Sequence, residues 1–431
     1  MFEQPEYSIT QGKLTPRRIG FVSTRFNGTD GVSLETNKWA TVLERLGHFC
    51  VYFSGESDRP PERSRVVARA HFLNPEIQAI QQIAFSTRKR PPEITRRIHE
   101  LTYDLKNELY RFIQDFDIEL LIVENALTIP LNVPLGLALT ELLSETGMPA
   151  IAHHHDFFWE RQRFMVGCVW DFIDMAFPPH LPSLRHVVIN SLAAEQLGMR
   201  NHTFSLLIPN VMDFDNSPPP PDAYSADLKT ELGLAEDEYF LLQPTRIVPR
   251  KGIEHAIELT ERLEQPASLV ISHASGDEGD EYAQRLREYA KLLNVCVRFA
   301  SARVAKERAR NANGAKIYSL RDAYERADLV TYPSTIEGFG NAFLEALYYR
   351  RPIVVNNYSV YNIDIKPKGF EVIEFDGFIT RAVVNQARDL LQHPARAREM
   401  ADKNYALATH HYSYTMLMRR LETLLAEAFG E

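Results

Sequence analysis

Short apolar runs alternate with helical patterns along the whole chain. The helical pattern that ends at Leu46 is followed by Gly47, a frequent C-terminal stop. Because strands and helices alternate at crossover spacing, the pattern predicts parallel sheets of the doubly wound α/β class. The predicted strands cover residues 19–23, 49–53, 118–123, 150–152, 186–190, 239–243, 268–272, 295–300, 328–332 and 353–355.

A run of four prolines, Pro218–Pro221, interrupts this alternation. Four prolines can join neither a helix nor a central strand, so the run indicates a linker at 216–225. The α/β pattern restarts after it, which predicts two Rossmann-like domains, at 1–215 and 226–405. Ligands of such folds bind at the carboxyl ends of the strands, and we expect a cleft between the two domains.

Composition narrows the class of protein. The 431 residues are 45% apolar and 24% charged with a net charge of −9, which argues against general nucleic-acid binding. Cys50, Cys168 and Cys296 lie far apart, so neither a zinc site nor a disulfide framework is expected, and a reducing cytoplasm is favoured. No apolar run is long enough to span a bilayer, and the N-terminal residues lack the pattern of a signal peptide.

The turn between the predicted strand at 328–332 and the following helical pattern carries two glycines, Gly338 and Gly340. Strand-to-helix turns leave free backbone amides at the positive end of a helix, where phosphate binds. Glu337 and Glu345 flank this turn. Carboxylates repel phosphate but accept hydrogen bonds, so they predict a ligand that also carries hydroxyls, such as a sugar and a ribose.

A basic segment follows the first strand of the second half. Arg246 offers a bidentate fork and Lys251 a point charge, a combination suited to a diphosphate. The alternative, on the segment alone, is a solvated basic loop. Its position at a strand end, together with Glu337, favours ligand binding.

These motifs together resemble the retaining GT-B glycosyltransferases of family 4, and the resemblance covers most of the chain. It implies a GT-B fold, with two doubly wound Rossmann-like domains that face each other across a cleft. It also implies that 406–431 form a C-terminal helix that crosses back to the first domain. The matching segments are Arg246, Lys251, Glu337–Gly340, Glu345, Pro209–Asp213 and Asp30–Val32.

The resemblance assigns roles to these residues. Arg246 and Lys251 would neutralise the donor diphosphate as the leaving group departs, and Glu337 would contact hydroxyls of the donor sugar. The remaining donor-binding residues would be Glu345, at the ribose hydroxyls, the backbone amides of Gly338, Phe339 and Gly340, and Gly31 in the N-terminal glycine loop. This chain departs from the family in that loop, where Asp30 replaces a glycine, and in the basic stretch 303–316, within the region expected to read the base.

Three consecutive histidines, His153–His155, end a strand of the first half. They suggest a metal, but neighbours on an extended segment alternate faces and cannot all converge on one ion, so no metal site is predicted. The resemblance implies that His155 faces the donor sugar and contributes to catalysis. The alternative is a buried histidine with satisfied hydrogen bonds. His153 and His154 are interpreted as packing or acceptor-side residues.

Asp156, Arg161 and Arg163 follow the histidines and are candidates for the acceptor side. The two arginines fit an anionic acceptor such as a carboxylate or phosphate, and the alternative is an exposed helix face.

The resemblance therefore implies a retaining hexosyltransferase that uses a nucleotide diphosphate sugar, either a UDP- or a GDP-sugar, and requires no further cofactor. Its acceptor would be small, soluble and polar or anionic, although a glycan or glycolipid stays open, as does a homo-oligomer. The alternatives are an epimerase or hydrolase of the same fold, and a non-catalytic nucleotide-sugar binder.

Overall fold

The computed structural model describes residues 15–28, 30–275 and 279–430. The N-terminal residues that argue against a signal peptide, and Thr29 of the glycine loop, lie outside the described residues. Contacts divide the chain into two compact units, each with its own sheet. The first contains Met1–Val187, Asn201–Leu206 and Leu417–Glu431, and the second contains Val188–Arg200 and Leu207–Met416.

The first unit is built on a seven-stranded sheet of order β3-β2-β1-β4-β5-β6-β7. Its strands are β1 Arg18–Val22, β2 Phe49–Ser54, β3 Ser64–Val66, β4 Leu120–Glu124, β5 Ala150–His154, β6 Leu184–Val188 and β7 Ser205–Leu207. Its helices are α1 Gly31–Arg45, α2 Pro75–Ala84, α3 Pro92–Phe116, α4 Val133–Thr146 and α5 Trp170–Ala176. All five residues of β4 are buried, as expected of a central parallel strand with both faces covered.

The second unit repeats this plan in a six-stranded parallel sheet of order β10-β9-β8-β14-β15-β16. Its strands are β8 Tyr239–Gln243, β9 Ala267–Ile271, β10 Val297–Phe299, β14 Leu329–Tyr332, β15 Ile353–Asn356 and β16 Ile373–Phe375. Its helices are α6 Ser191–Asn201, α7 Leu228–Glu231, α8 Ile253–Arg262, α9 Glu281–Leu292, α10 Leu320–Arg326, α11 Asn341–Tyr348, α12 Arg381–Gln392 and α13 Pro394–Tyr412.

Three short strands form a separate small sheet in the second unit: β11 Val304–Ala305, β12 Ala309–Arg310 and β13 Lys316–Ser319. The proline run lies near α10, where the carbonyls of Pro219 and Pro220 accept hydrogen bonds from Arg321 at 3.1 and 3.2 Å. Because β11, β12 and the start of β13 lie within it, the basic stretch 303–316 forms most of the small sheet.

The C-terminal segment predicted as one helix at 406–431 falls on two helices. Helix α13 ends at Tyr412, Ser413 is extended, and α14 covers Tyr414–Phe429. Leu417–Glu431 group with the first unit, where the Arg17 guanidinium lies 4.2 Å from the centre of the Phe429 ring. No helix among the described residues is both long and apolar enough to cross a membrane.

Candidate functional site

In the second unit, the residues that the sequence identifies follow two neighbouring central strands. β8 and β14 pair in parallel, with β9 on one side and β15 on the other. The strand order reverses at this pair, and open α/β sheets bind ligands outside the carboxyl ends of strands at such a point. We call residues 244–252, after β8, and residues 333–340, after β14, the loop pair.

A buried ion pair joins the two segments of the loop pair. The Lys251 ammonium donates to the Glu337 carboxylate, and the two side chains are 10% and 9% exposed. The Arg250 guanidinium lies 3.4 Å from the other carboxylate oxygen, so Glu337 has a second cation that sequence reasoning did not assign to it. The backbones also meet, since the Thr335 amide donates to the Arg250 carbonyl at 2.9 Å.

The surroundings of Glu337 keep it ionised. Burial opposes the charge, but Lys251 and Arg250 outweigh it and lower the pKa of Glu337. Two buried tyrosines, Tyr332 and Tyr358, also interact with this carboxylate, and burial together with its charge raises their pKa well above the usual range. The site therefore combines an ionised acceptor with cations and neutral hydroxyls, a set able to bind both sugar hydroxyls and phosphate.

Two glycines allow the loop pair to pack this closely. Gly252 has φ of +57°, and a Cβ there would lie 2.6 Å from the Pro333 carbonyl oxygen. Gly340 has φ of +126°, and a Cβ there would lie 2.6 Å from the Tyr358 hydroxyl. Both positions require glycine for its left-handed backbone and for its small size.

The predicted backbone donors lie at the start of α11. Gly340 is its N-terminal flanking residue and no side chain caps the helix, which leaves this end suited to an anion. The two preceding carbonyls are used internally: Asn190 donates to Gly338 O at 2.6 Å, and Tyr358 donates to Phe339 O at 2.7 Å. The Phe339 ring itself is buried in the core.

Glu345 lies on α11, partly buried, and accepts from the Tyr324 hydroxyl at 2.8 Å. Tyr349 stacks on Tyr324, with ring centres 5.2 Å apart. The carboxylate is therefore held among aromatic rings and is not a freely solvated helix residue. Arg246, in contrast, is exposed at the end of β8, and its charge helps to lower the pKa of His273, which burial lowers most.

The basic stretch 303–316, in the region expected to read the base, is largely paired with carboxylates. Arg308 binds both Asp222 and Asp322, and Lys316 lies 2.8 Å from Asp227. These contacts fasten the small three-stranded sheet to the segment after the proline run. Most of its positive charge is neutralised within the unit.

In the first unit, the histidines end β5 beside the end of β4. Glu124, the last residue of β4, is fully buried, and its Oε2 lies 3.0 Å from both His153 Nδ1 and His155 Nε2. Burial opposes ionisation of Glu124, but the two histidines outweigh it and lower its pKa to about 2. Burial alone would lower the pKa of His155, yet Glu124 raises it. His154 points elsewhere and contacts His186 at 2.9 Å.

Sequence reasoning missed Glu124 because the predicted strand stopped at residue 123. A charged residue directly after a fully apolar run was the available signal. The donor atoms of Glu124, His153 and His155 lie within 4.8 Å of one another, and these are residue types that bind zinc. They already hydrogen-bond directly to each other, so we interpret them as a hydrogen-bonded cluster, and the absence of a metal stays a prediction.

The candidate acceptor-side residues are also brought together. Asp156 accepts from the Asn125 amide at 3.0 Å and from Arg161 Nε at 2.6 Å. Arg163 is exposed and lies over the Phe164 ring at 4.6 Å, in a short 3₁₀ turn at Gln162–Phe164. Its acceptor role and the alternative of an exposed helix face both stay predictions.

Gly31 is the first residue of α1, and Asp30 caps this helix. The Asp30 carboxylate accepts from the amides of Val32 and Ser33, both at 3.1 Å. These amides would otherwise be available to a phosphate. The aspartate that departs from the family pattern therefore occupies the helix terminus itself.

Comparisons with known proteins match this chain to glycosyltransferases. The family model for glycosyl transferases group 1 matches residues 225–405. Mannosylglucosylglycerate synthase of Thermotoga maritima is 30% identical over 443 residues, covering 95% of this chain and 99% of that protein.

Among solved structures, a glycosyltransferase from Rickettsia africae aligns with a TM-score of 0.67 at 12% identity, covering 96% of this chain and 99% of that one. HepE of Anabaena, in complex with UDP-glucose, aligns with a TM-score of 0.63 at 12% identity, covering 95% and 100% of the two chains. These likenesses confirm the predicted GT-B fold.

Proposed function

This chain belongs to the group 1 glycosyltransferases, and we propose that it is a retaining hexosyltransferase of family 4 that uses a nucleotide diphosphate sugar. The observation that carries the proposal is the contact of the buried Lys251 and the partly exposed Arg250 with Glu337, in the segments that follow β8 and β14. It brings two cations and a carboxylate together at the position where this fold class binds nucleotides, which supports a role for the cations at a diphosphate and for the carboxylate at sugar hydroxyls.

In the proposed reaction, the bond between the anomeric carbon and the diphosphate oxygen breaks as the acceptor oxygen bonds to the same face of that carbon. The leaving phosphate oxygen takes the acceptor proton. Arg246 and Lys251 stabilise the charge that develops on the diphosphate. Glu337 binds sugar hydroxyls, Glu345 binds the ribose, and the start of α11 at Gly338–Gly340 supplies backbone donors.

The acceptor in this proposal is a sugar linked to a small carboxylic acid. The relative from Thermotoga maritima is named for a product that contains mannose, glucose and glycerate. We propose that this chain adds a mannosyl unit to glucosylglycerate or a close analogue. Arg161 and Arg163, on the segment after β5, are suited to the acceptor carboxylate. The assay below decides whether the donor nucleotide is UDP or GDP.

The proposal assigns donor binding to 226–405 and acceptor binding to 1–215, with His155 facing the donor sugar and Gly31 near it. It requires no metal or organic cofactor and places the enzyme in the cytoplasm. Chelation with EDTA should therefore leave activity unchanged.

The test is an incubation of the purified chain with GDP-mannose, UDP-glucose and related donors, with and without glucosylglycerate, followed by mass spectrometry. We expect a product one hexose heavier than the acceptor, with retained anomeric configuration by NMR. Glu337→Ala should abolish it, whereas Glu399→Ala, an exposed control on α13, should not. Sugar conversion from donor alone would instead support an epimerase or hydrolase, and full turnover by Glu337→Ala would refute the proposed site.

A further inference from the structure

Glu124 is a buried carboxylate that forms hydrogen bonds with two histidines. It is the last residue of β4 and is 0% exposed. A buried charge is costly unless it is paired and hydrogen-bonded, so its contacts with His153 and His155 account for its presence in the core. Of the two histidines, only His155 retains some exposure, with 9% of its side chain accessible against 0% for His153.

The contact with Glu124 fixes which nitrogen of His155 faces inward. Nε2 lies 3.0 Å from the carboxylate and donates its hydrogen there, because an ionised carboxylate can only accept. Nδ1 is then the nitrogen that faces away from Glu124. Which ring nitrogen is available to a ligand is set by the hydrogen bond that the other one makes.

The backbone of His155 is held from the same strand end. Asn125 adopts a left-handed conformation with φ of 58°, and its Oδ1 accepts from the His155 amide at 2.9 Å. Its Nδ2 donates to Asp156 at 3.0 Å. Asparagine adopts this conformation more readily than most non-glycine residues, so the position suits it. Glu124, the last residue of β4, and Asn125, which follows it, therefore hold the ring and the backbone of His155.

Neighbouring elements complete the surroundings of this cluster. The His153 ring stacks on Trp39 of α1 with centres 4.2 Å apart, which leaves Glu124 little room to reorient. Two further carboxylates, Glu35 of α1 and Asp156 after β5, also raise the pKa of His155. Glu35 is fully buried and lies 2.9 Å from Lys38. The cluster is therefore closed off from solvent on the side of the core.

We propose that Glu124 is a positioning residue, which holds His155 through Nε2 so that Nδ1 is presented to the sugar ligand. This inference rests on the proposed function, in which His155 faces that ligand. Glu124 does not touch the ligand itself, and its effect is transmitted through the orientation and tautomer of one imidazole.

The test compares Glu124→Gln with the exposed control Glu93→Gln in steady-state kinetics, with the donor that the assay above selects and with glucosylglycerate as acceptor. Glutamine keeps the shape but no longer selects the Nε2–H form. We expect kcat to fall about 10²-fold, as for a misplaced reacting group, with the donor KM changed far less. The control should match the wild type. An unchanged kcat in folded Glu124→Gln overturns the inference.

A second measurement uses the wild-type protein, in case the variant does not fold. Nitrogen-15 spectra of histidine-labelled protein, with His155 assigned by His155→Asn, should show Nε2 protonated and hydrogen-bonded. An unprotonated Nε2 overturns the inference. A loss of activity in EDTA that zinc restores also overturns it, because that result makes the cluster a metal site. If instead the wild type transfers no sugar, the proposed function fails, and the spectra still decide the geometry.

Discussion

Lys251 and Glu337 form a buried ion pair although they are separated by 86 positions in the sequence. The pair joins the segment after β8 to the segment after β14, and each side chain is at most 10% exposed. Removing one partner of a buried ion pair leaves an uncompensated charge in the interior, which strongly destabilises the fold. Each of the two residues therefore allows the other to be buried in its charged form. The same two groups are those proposed to meet the diphosphate and the sugar hydroxyls.

Lys251→Met should destabilise the second unit by about 3 kcal/mol, because Glu337 would stay buried with only Arg250 nearby. The double variant Lys251→Met/Glu337→Gln should lose less stability than the sum of the single variants, since it leaves no unpaired charge. Urea denaturation followed by far-UV circular dichroism measures this. Additive losses would show that the pair does not act as a unit.

Gly252→Ala should both destabilise the fold and weaken donor binding. The added Cβ would meet the Pro333 carbonyl at 2.6 Å and would push apart the loop pair that carries Lys251 and Glu337. Gly147→Ala is the matched control, because Gly147 has a similar φ of +62° and no atom within 4 Å of an added Cβ. Thermal denaturation should show a larger loss for Gly252→Ala than the roughly 1 kcal/mol expected of the control. Only Gly252→Ala should raise the donor KM, and equal effects in the two variants would contradict the close approach.

The sequence predicts the strands well because each is a short apolar run, and the structure places all ten of them within two residues of the predicted starts. It does not predict that β8 pairs with β14, since the pairing of distant strands leaves no trace in local periodicity. Arg250 was therefore not connected with Glu337. Glu124 was missed for a related reason: its partners lie on a neighbouring strand, and only the parallel register of β4 with β5 brings them together.

Arg161→Ala and Arg163→Ala should raise the acceptor KM more than the donor KM. Both arginines follow β5, and a guanidinium binds a carboxylate through two parallel hydrogen bonds, which alanine cannot replace. Arg161 already pairs with Asp156, so Asp156→Asn should weaken acceptor binding less than Arg161→Ala does. Arg97→Ala, at a surface pair with Glu100, is the control. Steady-state kinetics with glucosylglycerate measures all four variants, and an unchanged acceptor KM in both arginine variants would remove these residues from the acceptor side.

His186 should make the first unit sensitive to mild acid. Burial, and then the nearby His180, lower the pKa of His186 from its ordinary value of 6.5 to about 4. Between pH 6.5 and pH 4, His186 therefore binds a proton in the unfolded chain but not in the folded chain. The free energy of unfolding falls as the pH drops through this range. The full effect of this one group is about 3 kcal/mol.

His186→Gln removes this titration and still offers an amide to His154, which His186 contacts at 2.9 Å. We expect the stability of the variant to change less between pH 7 and pH 4.5 than that of the wild type, whereas exposed His410→Gln should behave as the wild type does. All three tryptophans, Trp39, Trp159 and Trp170, lie in the first unit, so urea denaturation followed by tryptophan fluorescence reports on the correct part of the chain. An identical pH dependence in His186→Gln and wild type would show that His186 is not the buried group that titrates.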